Sequence, residues 1–202
     1  MLAPVEHAGL GDIRTETLSH AAGDTLEIAA GNGHNLGHYP QSVGDLVLAE
    51  PDPHMYSRLL QRMDETPAGV GGRSVAVTAV QASAEELPFD SSSFDSVVCT
   101  LGLCTIPEPL RALSEVRRVL KPSGRYFFVE HVRARTRSTA RLQDLITPLW
   151  RVVAGGCHPN RNSESLLEAA GFEVERIERS VMPKAPKPLS PLIYGVAAVS
   201  RN

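Results

Sequence analysis

The pair Gly31 and Gly33, flanking Asn32, follows directly on the apolar run Asp24–Ala29, and Glu50 closes the next such run, Asp45–Glu50. Glycine at a strand end lets the backbone turn sharply and approach a ligand with no Cβ in the way. Amides opening a following helix would then bind a carboxylate or phosphate. Glu50 stands nineteen residues beyond Gly31, where an acid can accept hydrogen bonds from both hydroxyls of a ribose. Taken separately, these are a turn and a surface acid; in this order they favour a nucleoside ligand. A dinucleotide fingerprint would need glycine or alanine at position 36, where Leu36 stands. Tyr39, Tyr56, Tyr126 and Tyr194 are followed four residues later by Val43, Leu60, Glu130 and Ala198, so no Tyr-x-x-x-Lys is present. No GK[ST] phosphate loop occurs either.

His131, near the end of the run Arg125–Val132, and His158, within Gly155–Arg161 (GGCHPNR), are the candidate bases. For each, a structural or surface role weighs about as much as a catalytic one. His34 reads as a cofactor-side or turn residue opening the first helix of the core. Cys99, Cys104, Cys157 and His158 match no common zinc spacing, so no metal is expected. Cys99 falls in a buried strand as a small core residue, whereas Cys104 and Cys157 can line a pocket.

The elements that must carry these groups alternate between short apolar runs and helical patterns, the signature of a parallel α/β sheet. After the first two runs, Asp52 and Pro53 suit the cap and first turn of a helix with Met55, Leu59, Leu60 and Met63 on one face. Thr66–Gly72 reads as a loop, then Ser74–Val80 and Phe94–Thr100 as strands. Glu108–Leu120 reads as a helix turning Leu110, Leu113, Val116, Val119 and Leu120 inward, broken by Pro122-Ser123-Gly124 before the strand Arg125–Val132. Thr139–Ala154 is expected to be helical with Leu142, Leu145, Ile146, Leu149 and Val152 inward. A short helix, Glu164–Ala170, precedes two closing strands, Phe172–Val181 and Leu192–Ser200. The expected fold is a doubly wound, mostly parallel seven-stranded sheet with a C-terminal antiparallel hairpin. In such sheets ligands bind at the carboxyl ends of the strands, beside the switch point in strand order.

The chain has 202 residues, 42% hydrophobic and 21% charged, the composition of one ordinary globular domain. Residues 1–22 are expected to form a short N-terminal helix or lid, 23–132 the ligand-binding core, and 133–202 the substrate side. Twenty Lys and Arg against 23 Asp and Glu give a net charge of −3, and no basic cluster offers a nucleic-acid surface. No run reaches the ~20 apolar residues of a membrane span. The odd cysteine count and the absence of a signal-peptide pattern point to a cytoplasmic protein.

Leu26–Gly33 (LEIAAGNG), Leu48–Asp52 (LAEPD), Ala82–Thr100 (ASAEELPFDSSSFDSVVCT) and Glu115–Gly124 (EVRRVLKPSG) stand in the order found in class I S-adenosylmethionine-dependent methyltransferases of the type 11 group, which the chain resembles. The resemblance runs from about Leu26 to Val132. Glu130–Val132 (EHV), Gly155–Arg161, Glu168–Phe172 (EAAGF) and Pro191–Ala197 (PLIYGVA) are similar to a branch acting on small thiols, with its bacterial relatives.

The resemblance implies S-adenosylmethionine as cofactor. It places Glu27, Ala29, Gly31 and Gly33 at the methionyl end, Glu50 at the ribose and Pro51 at the adenine edge. Ser83, followed by Ala84, stands where the family often has aspartate at the adenine amino group, and its hydroxyl still offers an acceptor. Thr100 and Leu101 match positions near the cofactor's amino group and the transferable methyl. The expected activity is methylation of a small apolar acceptor, preferably a thiol, which is partly ionised at neutral pH and needs only a modest base. Alternatives are C- or O-methylation of a quinone or natural-product precursor, and a non-catalytic nucleoside-binding protein. Homodimerisation is compatible with this reading.

Overall fold

The computed structural model describes residues 5–66 and 76–200. Among these, seven strands form one sheet: β1 (Gly23–Ile28), β2 (Val43–Ala49), β3 (Val77–Val80), β4 (Phe94–Thr100), β5 (Leu120–His131), β6 (Phe172–Val181) and β7 (Pro191–Val199). Their order is β3-β2-β1-β4-β5-β7-β6. The first five run parallel, while β7 is antiparallel to both β5 and β6. This is the expected doubly wound sheet with its terminal hairpin, and the switch point falls between β1 and β4.

The two-residue period of a strand sends neighbouring side chains to opposite faces. In β4, Val97 and Cys99 enter the core beneath α3 (Pro109–Val119) and α5 (Ser163–Ala169), with Leu113, Val116 and Leu167. Val98 faces the other side, where Leu18 of α1 (Gly11–Leu18) and Leu59 of α2 (Pro53–Glu65) pack. α2 begins as anticipated, with the Asp52 carboxylate accepting from the His54 and Met55 amides at 2.9 and 2.8 Å.

Several local expectations are corrected. Gly31–His38 forms consecutive turns rather than a helix, so His34 lies within a turn. A π-helical turn, Glu6–Leu10, precedes α1, and helix ends before Ala22. Pro122-Ser123-Gly124 is absorbed into β5, where a register shift separates the pairs Phe94–Leu120 and Ser96–Arg125. Leu60 and Leu110 are exposed. Most of the expected loop Thr66–Gly72, and the start of the expected strand at Ser74, lie outside the described residues.

The largest correction concerns α4 (Arg137–Val153). Leu142, Leu145, Leu149 and Val152 face outward, the last three 77%, 72% and 81% exposed. The buried face is small or polar: Ala140, Gln143 and Thr147. Gln143 explains the choice. Its amide donates to the Val132 and Pro159 carbonyls and accepts from the Ala134 amide, satisfying backbone groups that an apolar side chain would strand. Among the described residues no helix is long and apolar enough to cross a membrane.

Candidate functional site

At the switch point the backbone leaves β1 through three left-handed residues, Ala29 (φ 51°), Gly31 (φ 58°) and Gly33 (φ 76°). The buried Glu50 carboxylate, across the crevice, accepts from the Gly31 amide at 2.8 Å and the Asp52 amide at 2.9 Å. Each oxygen thereby holds one amide and keeps acceptor capacity for a ligand hydroxyl. A Cβ on Gly31 would meet only the Met55 methyl, at 3.7 Å, so the space above this glycine is open to a ligand. Gly33 differs: a Cβ there would come within 2.9 Å of Leu59 Cδ1 and 3.0 Å of Leu36 Cδ1, which makes it a packing glycine. Pro51 is exposed at the rim. Ser83 Oγ donates to Glu85 Oε2 at 2.8 Å and accepts from the Glu85 amide at 3.2 Å, with Ala84 buried behind it.

Beside the turn lies a polar network absent from the sequence-level reading. Arg14, 3% exposed, donates through Nη1 to Thr100 Oγ1 at 2.5 Å and Asn35 Oδ1 at 2.7 Å. Its Nε and Nη2 engage the Glu6 carboxylate at 3.1 Å. Asn35 Nδ2 donates to Thr100 Oγ1 and Glu27 Oε1, both at 2.9 Å, and the Tyr39 hydroxyl donates to Glu27 Oε2 at 2.5 Å. Glu27 is thus held behind the turn, fixing Asn35 and through it Thr100.

Burial pushes Glu27 from 4.5 up to about 7, against the Tyr39 hydrogen bond and the Arg14 charge. A carboxyl raised in this way stabilises the fold fully below its unfolded value and loses that contribution as pH climbs to the folded one. The stability advantage of the native chain over Glu27→Gln should therefore shrink between pH 4.5 and about 7, by on the order of 3 kcal/mol. Urea unfolding of both proteins at pH 5 and pH 8 measures it; parallel pH profiles would refute the assignment.

On the other flank, Glu130 at the end of β5 is fully buried. Its Oε1 accepts from the Gly102 and Leu103 amides at 3.2 and 2.8 Å, and its Oε2 from the Cys104 amide at 3.1 Å. Burial raises Glu130 to about 7 even so. The loop it shapes packs directly on the glycine turn, since a Cβ on Gly102 would lie 2.7 Å from that of Ala29. Leu101, in this loop, is left-handed (φ 56°). Cys104 Sγ lies 3.6 Å from Cys157 Sγ, which is 3.8 Å from His131 Nδ1. The Cys104–Cys157 hydrogen bond, with His131 adding to it against burial, holds Cys157 down at about 5. The same bond, together with burial, pushes Cys104 up. His158 is turned away, with Nδ1 3.3 Å from the Cys104 carbonyl oxygen, and burial, followed by the Arg161 charge, lowers it. Arg161 Nη1 donates to the Leu103 and Ile106 carbonyls.

A family described as Methyltransferase domain matches residues 26–128. The rat protein named thiol S-methyltransferase TMT1B is 35% identical over 173 residues, 85% of this chain and 69% of the relative. This chain is a class I S-adenosylmethionine-dependent methyltransferase. Human thiol S-methyltransferase TMT1A is 32% identical over 85% of the chain and 69% of the relative. The ubiquinone/menaquinone biosynthesis C-methyltransferase UbiE of Idiomarina loihiensis is 30% identical over 73% of the chain and 65% of its own length. A putative methyltransferase from Bacillus halodurans superposes with TM-score 0.72 at 18% identity, covering 94% of this chain and 99% of that one, and shows the same fold.

In this methyltransferase the glycine turn, Glu50, Pro51, Thr100 and Leu101 gather around the β1–β4 crevice. Ser83 and Ala84 form a neighbouring turn, and Glu27 stands behind. Of the two histidines, His131 reaches the cysteine pair, while His158 braces the backbone of Cys104. Arg14 had no motif to announce it, and Glu130, although part of EHV, carried no assigned role. The short distance from the glycine turn to EHV through Gly102 becomes visible only once β4 and β5 are paired.

Proposed function

We propose that this methyltransferase transfers a methyl group from S-adenosylmethionine to a small, apolar thiol. The likeness to the thiol S-methyltransferases over 85% of the chain carries the proposal. The crevice fits the cofactor: open space above Gly31, and a buried carboxylate whose oxygens retain acceptor capacity. When bound, the cofactor supplies a sulfonium methyl, already activated toward displacement.

In this reading Glu50 accepts from the ribose hydroxyls, Gly31 and Gly33 shape the turn with Ala29, and Pro51 lies along the adenine with Ser83 and Ala84 near its amino group. Thr100 and Leu101 lie by the amino group and methyl. Arg14 trades Glu6 for the cofactor's carboxylate, because a guanidinium pairs carboxylates in the same forked geometry. Glu27 acts from behind, through Asn35. His131 is the acceptor-side residue and His158 supports it. Alignment of acceptor and methyl is the main task, since an in-line displacement gains most from positioning.

The whole chain acts as one domain, with residues 1–22 as lid, 23–132 binding cofactor and 133–202 shaping the acceptor side. We place it in the cytoplasm, where its three free thiols would stay reduced; recovery in a membrane pellet would contradict this. A homodimer, with no nucleic-acid partner, completes the reading. It is supported by the exposed apolar stripe of α4, of a kind that marks contact surfaces, and sedimentation at monomer mass would remove it.

The deciding experiment incubates the protein and S-adenosylmethionine with thiols, phenols, quinols and amines and follows mass gain of one methyl. Small alkyl and aryl thiols should gain it. Turnover of quinols with none of any thiol would reject the acceptor and favour the reading suggested by the UbiE relative. In the same assay, Arg14→Met should weaken cofactor binding about tenfold or more; unchanged affinity would place the carboxylate elsewhere.

A further inference from the structure

Methyl transfer as described asks of His131 only that it line the acceptor side, and it gives no task to Cys104 and Cys157, which cluster with it. These residues come from three separate segments: the loop after β4, the end of β5, and the turn after α4. One ligand atom from each lies within 4.8 Å of the others. We propose that Cys104, His131 and Cys157 bind a Zn²⁺ ion in a tetrahedral site whose fourth position takes the acceptor as its thiolate. The clause about the fourth position rests on the thiol reading; the metal site does not.

Two of the three ligand–ligand edges match those of a tetrahedral site, and the third, Cys104 to His131, lies within 4.8 Å. Bond lengths of ~2.3 Å for Zn–S and ~2.0–2.1 Å for Zn–N impose S···S edges of about 3.8 Å and S···N edges of about 3.6 Å. The Cys104–Cys157 sulfurs are 3.6 Å apart and Cys157 Sγ is 3.8 Å from His131 Nδ1. No fourth cysteine, histidine or carboxylate joins the three among the described residues. Three protein ligands and one exchangeable position is the pattern of a catalytic rather than a structural zinc. Two thiolates and an imidazole are soft and borderline ligands that select zinc over magnesium or calcium.

The surroundings suit such a site. Glu130 and the His158 amide pin the Cys104 backbone from both sides, the latter bond 2.8 Å long. The buried Trp150 Nε1 makes no hydrogen bond of normal geometry, but it faces the Cys157 thiol and helps to hold it down. A metal-bound thiolate would give that N–H its acceptor, the kind of outer contact that orients zinc ligands. Charge also balances. Two protein thiolates neutralise Zn²⁺, and Arg161, near enough to feel the charge of Cys104 and Cys157, faces the added negative charge of a substrate thiolate.

In the reaction, the acceptor's S–H bond breaks on coordination and its proton passes to solvent. A sulfur lone pair then forms the new S–CH₃ bond. The donor's C–S bond breaks with its electron pair staying on the donor sulfur, leaving a thioether. No oxidant or reductant is needed. Coordination stabilises the thiolate, so the acceptor is ionised well below its solution pKa.

The test uses the full chain, reduced and stripped with a chelator, then titrated with Co²⁺ as a spectroscopic substitute for zinc. The expected result is stoichiometric uptake, with intense visible bands of tetrahedral Co²⁺ and a near-ultraviolet thiolate-to-metal charge-transfer band. Cys157→Ser and His131→Ala should each weaken Zn²⁺ binding at least tenfold in competition with a chromophoric chelator. A small alkyl thiol added to the Co²⁺ form should shift the visible bands, and a thioether of the same size should not. Weak six-coordinate spectra, unchanged affinity in Cys157→Ser, or simple oxidation of Cys104 and Cys157 to a disulfide without metal uptake would each overturn the site. Thiol methylation at full rate by chelator-treated protein would overturn the role while leaving the function intact. Tight Co²⁺ binding with no thiol turnover would instead defeat the thiol reading and leave the metal site standing.

Discussion

Gly31→Val is expected to abolish detectable binding of S-adenosylmethionine while leaving a folded protein. Gly31 sits at φ 58°, where an L-residue costs ~1–2 kcal/mol and a β-branched one somewhat more. The fold can bear that loss, because total stability is typically ~5–15 kcal/mol and the new side chain meets only the Met55 methyl. The crevice cannot bear it: the added atoms stand in the space above the turn and disturb the amide that Glu50 holds at 2.8 Å. Gly33→Ala should behave in the opposite way. Its Cβ would collide with Leu59 and Leu36, so the damage is to stability, with cofactor affinity following only as the fold is lost. Calorimetric titration beside urea unfolding separates the two. Native affinity in folded Gly31→Val would remove the glycine turn from the cofactor site.

The crevice was legible in the sequence because its signals are local. A glycine pair after an apolar run and an acid closing the next run are short-range features, and parallel pairing brings such strand ends together. What escaped detection depends on distance along the chain. Arg14 meets Thr100 across 86 positions, and nothing near Arg14 distinguishes it from a solvated helix residue. Cys104 and Cys157 are 53 positions apart. Local spacing set Cys157 beside its sequence neighbour His158 and gave no reason to expect a metal, whereas folding brings His131 to the cysteine pair. The α4 error has a different origin. Periodicity located an apolar stripe correctly, but the direction of burial was decided by Gln143 and the backbone groups it satisfies. The expected helix after Gly33 failed for want of room: Leu36 and Tyr39 are drawn into the core within the few residues before β2 begins at Val43.

Glu130→Gln is expected to reduce turnover by ~10²-fold, the scale of a misplacement near 1 Å, with little change in cofactor affinity. The carboxylate accepts three successive backbone amides, from Gly102, Leu103 and Cys104. A glutamine keeps one acceptor oxygen and turns an NH₂ group toward the remaining amide. At least one buried donor is then unpaired, costing ~1–3 kcal/mol, with further loss from the weaker bonds to a neutral acceptor. Relief comes from moving the loop, and that displaces Cys104 relative to His131 on the adjacent strand end. The Gly31–Glu50 contact is made by residues following β1 and β2 and not by this loop, which abuts the turn at Ala29, so the ribose end of the cofactor should still bind. Glu130→Ala strands all three amides at ~1–3 kcal/mol each, a large share of the ~5–15 kcal/mol that holds a domain together, and should express poorly. The informative comparison is therefore the glutamine variant, read as kcat against the cofactor Kd. A parallel fall in both would make Glu130 a general prop of the fold. Native kcat would mean that the loop carrying Cys104 is held by something other than this carboxylate.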